Sequence, residues 1–101
     1  MAKGTVSTAT RWKTNDIERA LGFAKEVKPI WEKHGAEAVR IALVHTGTRA
    51  GQLLFVLHFA NWETYGKAQA AIAGDKSYTD ILSQVMKIAE LSDREISVGL
   101  A

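Results

Sequence analysis

The sequence predicts an α+β fold in which two helices cover one face of a four-stranded antiparallel sheet. Two central segments, residues 39–46 and 53–60, are apolar on both faces of the strands they would form. A stretch with helical spacing lies on each side of this pair, and a strand pattern lies at each end of the chain. Two helices of this length cover only one face of a small sheet, so we expect a second copy of the chain to cover the other.

Composition sets the class of protein. The chain has 101 residues, 47% apolar and 24% charged, which is typical of one compact domain over residues 1–101. Its 13 Lys and Arg and 11 Asp and Glu are scattered, so no nucleic-acid partner is indicated. It lacks cysteine, which excludes disulfides, thiolate catalysis and iron-sulfur ligation. The first residues do not resemble a secretory signal, and no apolar run approaches membrane-spanning length, so we expect a cytoplasmic protein without a membrane partner.

The first strand is predicted over residues 4–12, where β-branched residues alternate with small or polar ones. Its two sides would carry Val6, Thr8, Thr10 and Trp12 on one face and Thr5, Ser7, Ala9 and Arg11 on the other.

The first helix is predicted to begin at a capping box, because Glu18 follows Asn15 by three residues. Apolar residues then recur at helical spacing, and Gly35 supplies the C-terminal stop. Pro29 removes a backbone donor inside this pattern, which predicts a kink near residues 24–28 or a helix that restarts at Pro29.

The remaining elements follow from turn and cap signals. The two central strands are joined by a glycine-bracketed loop, residues 47–51, which is short enough for a hairpin. Asn61 is expected to cap the second helix, which Gly74 and Asp75 interrupt before a further helical stretch capped by Asp75 or Ser77. The last strand is predicted over residues 94–100.

This order of strand, helix, strand, strand, helix, strand is the split-βαβ, ferredoxin-like βαββαβ arrangement, in which right-handed crossovers place the first strand between the third and fourth. With the helix ending at His34 and Gly35, the aromatic helix start over residues 59–65 and the break at residues 75–78, the chain resembles the dimeric α/β-barrel superfamily. Its members include the antibiotic-biosynthesis monooxygenase, NIPSNAP and stress-responsive types. The resemblance covers the whole chain and implies a homodimer with paired sheets.

The resemblance transfers no catalytic motif and no cofactor. Haem-degrading members carry a particular set of Asn, Trp and His that does not map onto Asn61, Trp62 and the histidines of this chain, so we expect no haem.

The two faces of the predicted sheet differ in polarity. One is almost wholly apolar and is assigned to the helices: Val39, Ile41, Leu43, Leu53, Phe55, Leu57, Phe59, Ile96, Val98 and Leu100. The other mixes small, apolar and charged groups, as small-molecule sites do, and would face the second copy. The predicted ligand-binding residues are on this face, with two aromatic residues at the helix start that would line a cavity mouth: Arg11, Arg40, Leu54, Val56, His58, Trp62 and Tyr65.

A hairpin centred on Arg49 would place Arg40 opposite His58 and His45 opposite Leu53. His58 would then transfer a proton while the Arg40 guanidinium stabilises an oxyanion on the ligand. The alternative is that both residues lie half solvated at a barrel rim and serve only solubility or a dimer contact. A register slip of one residue would separate them.

The other polar candidates have structural interpretations. Arg11 and Glu95 are expected to form an ion pair between the first and fourth strands. His34 at a helix end would complement the helix dipole, and His45 is expected to be a hydrogen-bonded structural residue. No spacing resembles a metal site or a phosphate loop, so no metal or nucleotide cofactor is implied.

Three functional hypotheses follow. The first is a homodimer that binds a small apolar or aromatic molecule between its paired sheets. The second is a cofactor-independent monooxygenase, cyclase or isomerase that uses His58 for proton transfer. The third is a structural interaction module whose interior is filled by Val44, Leu54 and Val56.

Overall fold

The computed structural model describes residues 2–101 and shows four strands and three helices in these residues. In chain order the elements are β1 (Val6–Thr14), α1 (Ile17–Lys33), β2 (Ala38–Leu43), β3 (Leu53–Phe59), α2 (Trp62–Ala73), α3 (Lys76–Ile88) and β4 (Ala89–Val98). The second predicted helix is thus two helices, because the break at Gly74 and Asp75 separates α2 from α3.

The sheet is antiparallel with the order β2-β3-β1-β4, which confirms the ferredoxin-like prediction. β1 lies between β3 and β4, so Ser7 is opposite His58 on one side and Ser97 on the other. One extra residue, Ser92, bulges from β4 where Arg11 pairs with Asp93 and Trp12 pairs with Leu91.

Helix α1 begins one residue later than the predicted capping box. The Arg19 N–H donates to the side chain of Asp16 at 3.1 Å, so Asp16 is the N-cap. The helix runs without interruption through Pro29, and no second helix starts there. Pro29 and Lys25, the residue four positions earlier, are both exposed, so the carbonyl that loses its donor lies on the solvent side.

The end of α1 is a Schellman motif, as the glycine predicted. The Ala36 N–H donates to the Trp31 carbonyl at 3.0 Å, and the Gly35 N–H donates to the Glu32 carbonyl at 3.2 Å. Gly35 has φ of 118°, a conformation that favours glycine.

Both predicted caps of the later helices are present. The Thr64 N–H donates to Asn61 Oδ1 at 2.8 Å, and the Tyr78 N–H donates to Asp75 Oδ1 at 3.2 Å. β4 begins at Ala89, five residues before the predicted start, because it follows α3 with no linker.

The molecule has two layers, and its shortest dimension is 17 Å. The core lies between the sheet and the helices, where Val6 and Phe59 are fully buried and Trp31 packs edge-on against Phe59 at 6.2 Å. The sheet face that these residues line is called the helix face, and the opposite one the open face. No helix within residues 2–101 is both long and apolar enough to cross a bilayer.

The register places the predicted apolar set on the helix face, but four of its members are exposed. All four lie on the edge strands or just past them, where the helices give less cover: Leu43 (54%), Ile96 (42%), Val98 (37%) and Leu100 (89%).

Candidate functional site

A cavity of about 410 Å³ lies between the helix face and the helices. The sheet forms its floor through β1, β3 and β4, and all three helices contribute to its walls. Floor residues include Thr8, Thr10, Phe55, Leu57, Leu91 and Arg94. Wall residues include Trp31, Gln69, Ile72, Tyr78, Leu82 and Met86.

Small polar side chains in the middle of β1 help to form this space. Thr8 and Thr10 occupy helix-face positions between the larger Val6 and Trp12, and Thr8 is 4% exposed. The Trp12 Nε1–H donates to Thr10 Oγ1 at 2.9 Å, and the Thr10 hydroxyl donates to the Phe55 carbonyl at 3.4 Å. The hydroxyl of Thr10 is therefore satisfied within a lining that is mostly apolar and aromatic.

Helix α3 is the most exposed wall. None of its residues is buried, although Tyr78 packs edge-on against Trp31 at 5.5 Å. A second, smaller cavity of about 60 Å³ lies between α3, α1 and the sheet, and Trp12, Trp31 and Tyr78 line both cavities.

Arg94 lines the cavity and is itself exposed, so it lies at the cavity mouth. Its Nη2–H donates to the Tyr65 hydroxyl at 3.1 Å. Burial raises the pKa of the Tyr78 phenol, and the nearby Arg94 charge only partly opposes that shift. Tyr78 is therefore a neutral phenol at physiological pH.

The open face carries the predicted pair of Arg40 and His58, but in a different register. Arg40 is opposite Val56, and His58 is opposite Ala38, so the prediction that Arg40 and His58 face each other directly is wrong by two residues. A shift of two keeps both residues on the same face. Ser7 Oγ and His58 Nδ1 are hydrogen-bonded at 2.6 Å. Burial, followed by the Arg40 charge, lowers the pKa of His58 below 6.5.

The predicted ion pair of Arg11 and Glu95 is also wrong. Arg11 Nη1 donates to Asp93 Oδ2 at 2.7 Å, while Glu95 lies opposite Ala9. Arg49, from the loop between β2 and β3, lies 3.7 Å from the other oxygen of Asp93. Asp93 is opposite Arg11 in the same register that pairs Val6 with Val98 and Ala9 with Glu95, and the bulge at Ser92 changes only the pairing beyond Arg11.

The other predicted ligand-binding residues occupy two places. Leu54 and Val56 are half-buried on the open face. Trp62 is 54% exposed at the start of α2, and its ring lies 5.8 Å from that of Tyr65. Tyr65 packs against Phe59 and reaches the cavity mouth through Arg94. The structure thus places these residues on the open face or beside the mouth, and none of the predicted set lines the cavity.

The sequence held signals for the lining residues that the prediction missed. Arg94 has the same strand parity as Ile96 and Val98, so it is a lone charge on an otherwise apolar face. Gln69 likewise interrupts the buried side of α2, between Ala68 and Ile72. Polar residues at otherwise apolar positions of a strand and a helix were therefore the sequence signal for this cavity.

The other two histidines lie away from the cavity. The His34 Nε2–H donates to Asp75 Oδ2 at 2.7 Å, which connects the end of α1 to the cap of α3. His45 is exposed in the loop after β2, since the strand ends at Leu43. Within residues 2–101 no group of three or more acidic or histidine side chains is placed to hold a metal ion.

No family model matches this sequence, and no curated protein matches it significantly. Solved structures share its fold over nearly the whole chain. A NIPSNAP family protein from Agrobacterium tumefaciens has a TM-score of 0.75 at 16% identity, covering 95% of this chain and 86% of its own. An uncharacterised NIPSNAP domain protein from Burkholderia xenovorans has a TM-score of 0.75 at 15% identity, covering 96% and 95%. SnoaB, a cofactor-independent oxygenase from Streptomyces nogalater, has a TM-score of 0.69 at 6% identity, covering 95% and 93%. The chain therefore has the ferredoxin-like fold of NIPSNAP and antibiotic-biosynthesis-monooxygenase-like proteins, in agreement with the resemblance seen in its sequence.

Proposed function

We propose that this protein binds a small aromatic or apolar molecule in the cavity between the sheet and the helices. The observation that carries the proposal is a space of about 410 Å³ lined by Trp12, Trp31, Phe55 and Tyr78. Ligand sites of this kind usually enclose roughly 300–1,000 Å³ and combine aromatic walls with a few placed polar groups. The sequence hypothesis placed the ligand on the open face, whereas this cavity lies on the other side of the same sheet.

The test is binding of N-phenyl-1-naphthylamine, a neutral fluorophore that brightens in apolar surroundings. Ala73 lines the cavity at the end of α2, and Ala73→Trp is expected to fill it and weaken binding about tenfold or more. Ala70→Trp is the matched control, because Ala70 is exposed on the same helix and does not line the cavity. Equal binding by both variants, or no binding by the wild type, would overturn the proposal.

We also propose that two copies pair through their open faces. In one chain this face has no second layer, yet it carries half-buried apolar residues at its centre, including Leu54 and Val56. Apolar side chains on both faces of a sheet favour cover on both. The homodimer would supply that cover.

A second candidate function is proton transfer by His58 in the space between paired sheets, as in a cofactor-independent monooxygenase, cyclase or isomerase. The hydrogen bond to Ser7 and the lowered pKa favour it, because they hold the imidazole in the neutral form that a general base needs. Arg40 lies on the same face and would bind an anionic part of the substrate, whereas Arg11 on that face is already paired with Asp93.

His58→Gln tests this candidate when turnover of an accepted substrate is measured with the oligomer intact. Loss of turnover in His58→Gln, with His45→Gln unaffected, would support it. The open face is a structural contact only if Val44, Leu54 and Val56 fill the space between the sheets. In that case His58→Gln should leave any measured turnover unchanged.

A further inference from the structure

The charge at the cavity mouth is unbalanced. Arg94 is the one charged side chain among the described residues that line the cavity. Within residues 2–101 no carboxylate oxygen lies within 4.0 Å of its guanidinium. Glu95, next in the chain, points to the opposite face of the sheet. The lining therefore holds one positive charge and no negative one.

The acidic residues on the two nearby helices are engaged elsewhere. Glu63 of α2 lies 3.1 Å from the ammonium of Lys67, and Asp80 of α3 lies 2.7 Å from that of Lys76. Both acidic side chains are exposed and lie outside the cavity lining. Neither helix supplies the missing countercharge.

The Arg94 guanidinium has a phenol, not a carboxylate, as its side-chain partner. The Tyr65 hydroxyl accepts its hydrogen bond at 3.1 Å. The Tyr65 ring packs edge-on against Phe59, which is fully buried, with 5.5 Å between the ring centroids. An acceptor of this kind orients the guanidinium without neutralising it, which leaves its other N–H groups for an anion.

The remaining polar groups of the lining are also neutral. Tyr78 keeps its proton, because burial raises the pKa of its phenol. Thr8, Thr10 and Gln69 add hydroxyl and amide groups. A ligand that presents an anion at Arg94 and aromatic rings to the interior matches this distribution, since a guanidinium binds oxyanions through charge-assisted hydrogen bonds.

We infer that the molecule bound in this cavity is an aromatic anion, carrying a carboxylate, a sulfonate or an ionised phenol or enol whose charge is bound by Arg94. Tyr65 is the positioning residue for that arginine. The inference rests on the proposed binding function and specifies the chemical class of its ligand.

Two fluorophores that differ by one charged group test it. 8-Anilinonaphthalene-1-sulfonate carries a sulfonate on the skeleton of N-phenyl-1-naphthylamine. We expect the wild-type protein to bind the sulfonate about tenfold more tightly, the difference that one charge-assisted hydrogen bond supplies. Arg94→Gln should remove this preference and leave binding of the neutral probe unchanged. Tyr65→Phe should reduce the preference by about threefold, since the guanidinium stays but loses its orientation.

Arg19→Gln is the matched control. Arg19 lies on α1, where its guanidinium is 5.6 Å from the centre of the Phe23 ring, and its loss should change neither affinity. Equal affinity for the two probes in the wild type, or a preference that survives Arg94→Gln, would overturn the inference while leaving the binding proposal intact. If neither probe binds, or if Ala73→Trp displaces neither, the binding proposal itself fails.

Discussion

The two faces of this sheet use the same strands but make different kinds of surface. The helix face encloses a cavity within one chain, with aromatic walls and Arg94 at the mouth. The open face carries a cluster of polar side chains, in which His58 is hydrogen-bonded to Ser7 and Arg40 is nearby. The cavity on the helix face is formed by a single subunit, whereas a ligand on the open face would need a partner to enclose it.

The largest expected difference between the faces is in stability. Phe59→Ala should lower the free energy of unfolding by about 3–5 kcal/mol, because it removes a fully buried ring from the helix face. Leu54→Ala on the half-buried open face should cost about 1 kcal/mol in a dilute single subunit. Urea titration followed by circular dichroism measures both.

The milder Phe59→Leu variant, at about 1 kcal/mol, covers the case in which Phe59→Ala does not fold. If Leu54→Ala were as damaging as Phe59→Ala at low protein concentration, the open face would be as well covered as the helix face.

The next effect is on association. Val56→Asp would bury a charge at the proposed contact between open faces, and should weaken the dimer by on the order of 3 kcal/mol, about a hundredfold in dissociation constant. Sedimentation velocity over a range of protein concentrations measures this change. Ile17→Asp adds the same charge at the start of α1, away from the sheet, and should leave the dimer intact. A wild-type protein that stays a monomer at micromolar concentration would contradict the pairing.

A third prediction concerns the cap of α3, the helix over the cavity that has no buried residue. The hydrogen bond from His34, followed by that from the Tyr78 N–H, lowers the pKa of Asp75. The folded state therefore binds this proton less readily than the unfolded chain, and the stabilisation is present above about pH 4 and lost as the pH falls further.

Thermal unfolding tests this sign. Asp75→Asn should lower Tm at about pH 6, and the gap from the wild type should shrink toward about pH 2.5. Asp80→Asn, which removes an exposed pair with Lys76, should have little effect at either pH. A gap that stays constant with pH would contradict the assignment.

The smallest expected effect is on the pKa of His58, which should respond to Arg40 but not to Arg94. Because burial and Arg40 lower the pKa of His58, its ring protons should titrate below pH 6.5 in an NMR experiment. Arg40→Gln should raise that pKa, whereas Arg94→Gln, on the other face, should leave it unchanged. The lowered pKa also means that His58 favours the folded state above pH 6.5 and that this contribution is lost as the pH falls. A titration that responds equally to both substitutions would contradict the separation of the faces.

Most of the fold could be predicted because periodicity and caps are local signals. The alternation in β3 and the caps at Asn61 and Asp75 identified their elements correctly. The hairpin register was missed because it depends on the loop: the Gly51 N–H donates to the Val44 carbonyl at 2.7 Å, which ends β2 at Leu43 and moves the centre of the hairpin to residue 48. A positive φ at Gly51 (89°) accompanies this closure.

The candidate site was harder to predict than the fold. Its polar markers, Arg94 and Gln69, were visible as exceptions on apolar faces. The empty space was not, because a hydrophobic pattern specifies which side of a helix faces the sheet but leaves open how closely the helix approaches it. The small side chains of Thr8 and Thr10 leave space above the sheet. Only the tertiary arrangement shows that side chains of α3 do not fill that space.

Ile88 ends α3 and Ala89 begins β4, with no residue between them. Helix α3 carries the cavity residues Tyr78 and Leu82, and β4 carries Leu91 and Arg94. Because no loop separates the two elements, a change in the tilt of α3 must also displace the start of β4. The lengths of the two elements are coupled as well. A single inserted residue at this junction would change the register between α3 and the first residues of β4, because no loop is present to absorb it, so this junction should tolerate substitution far better than insertion or deletion.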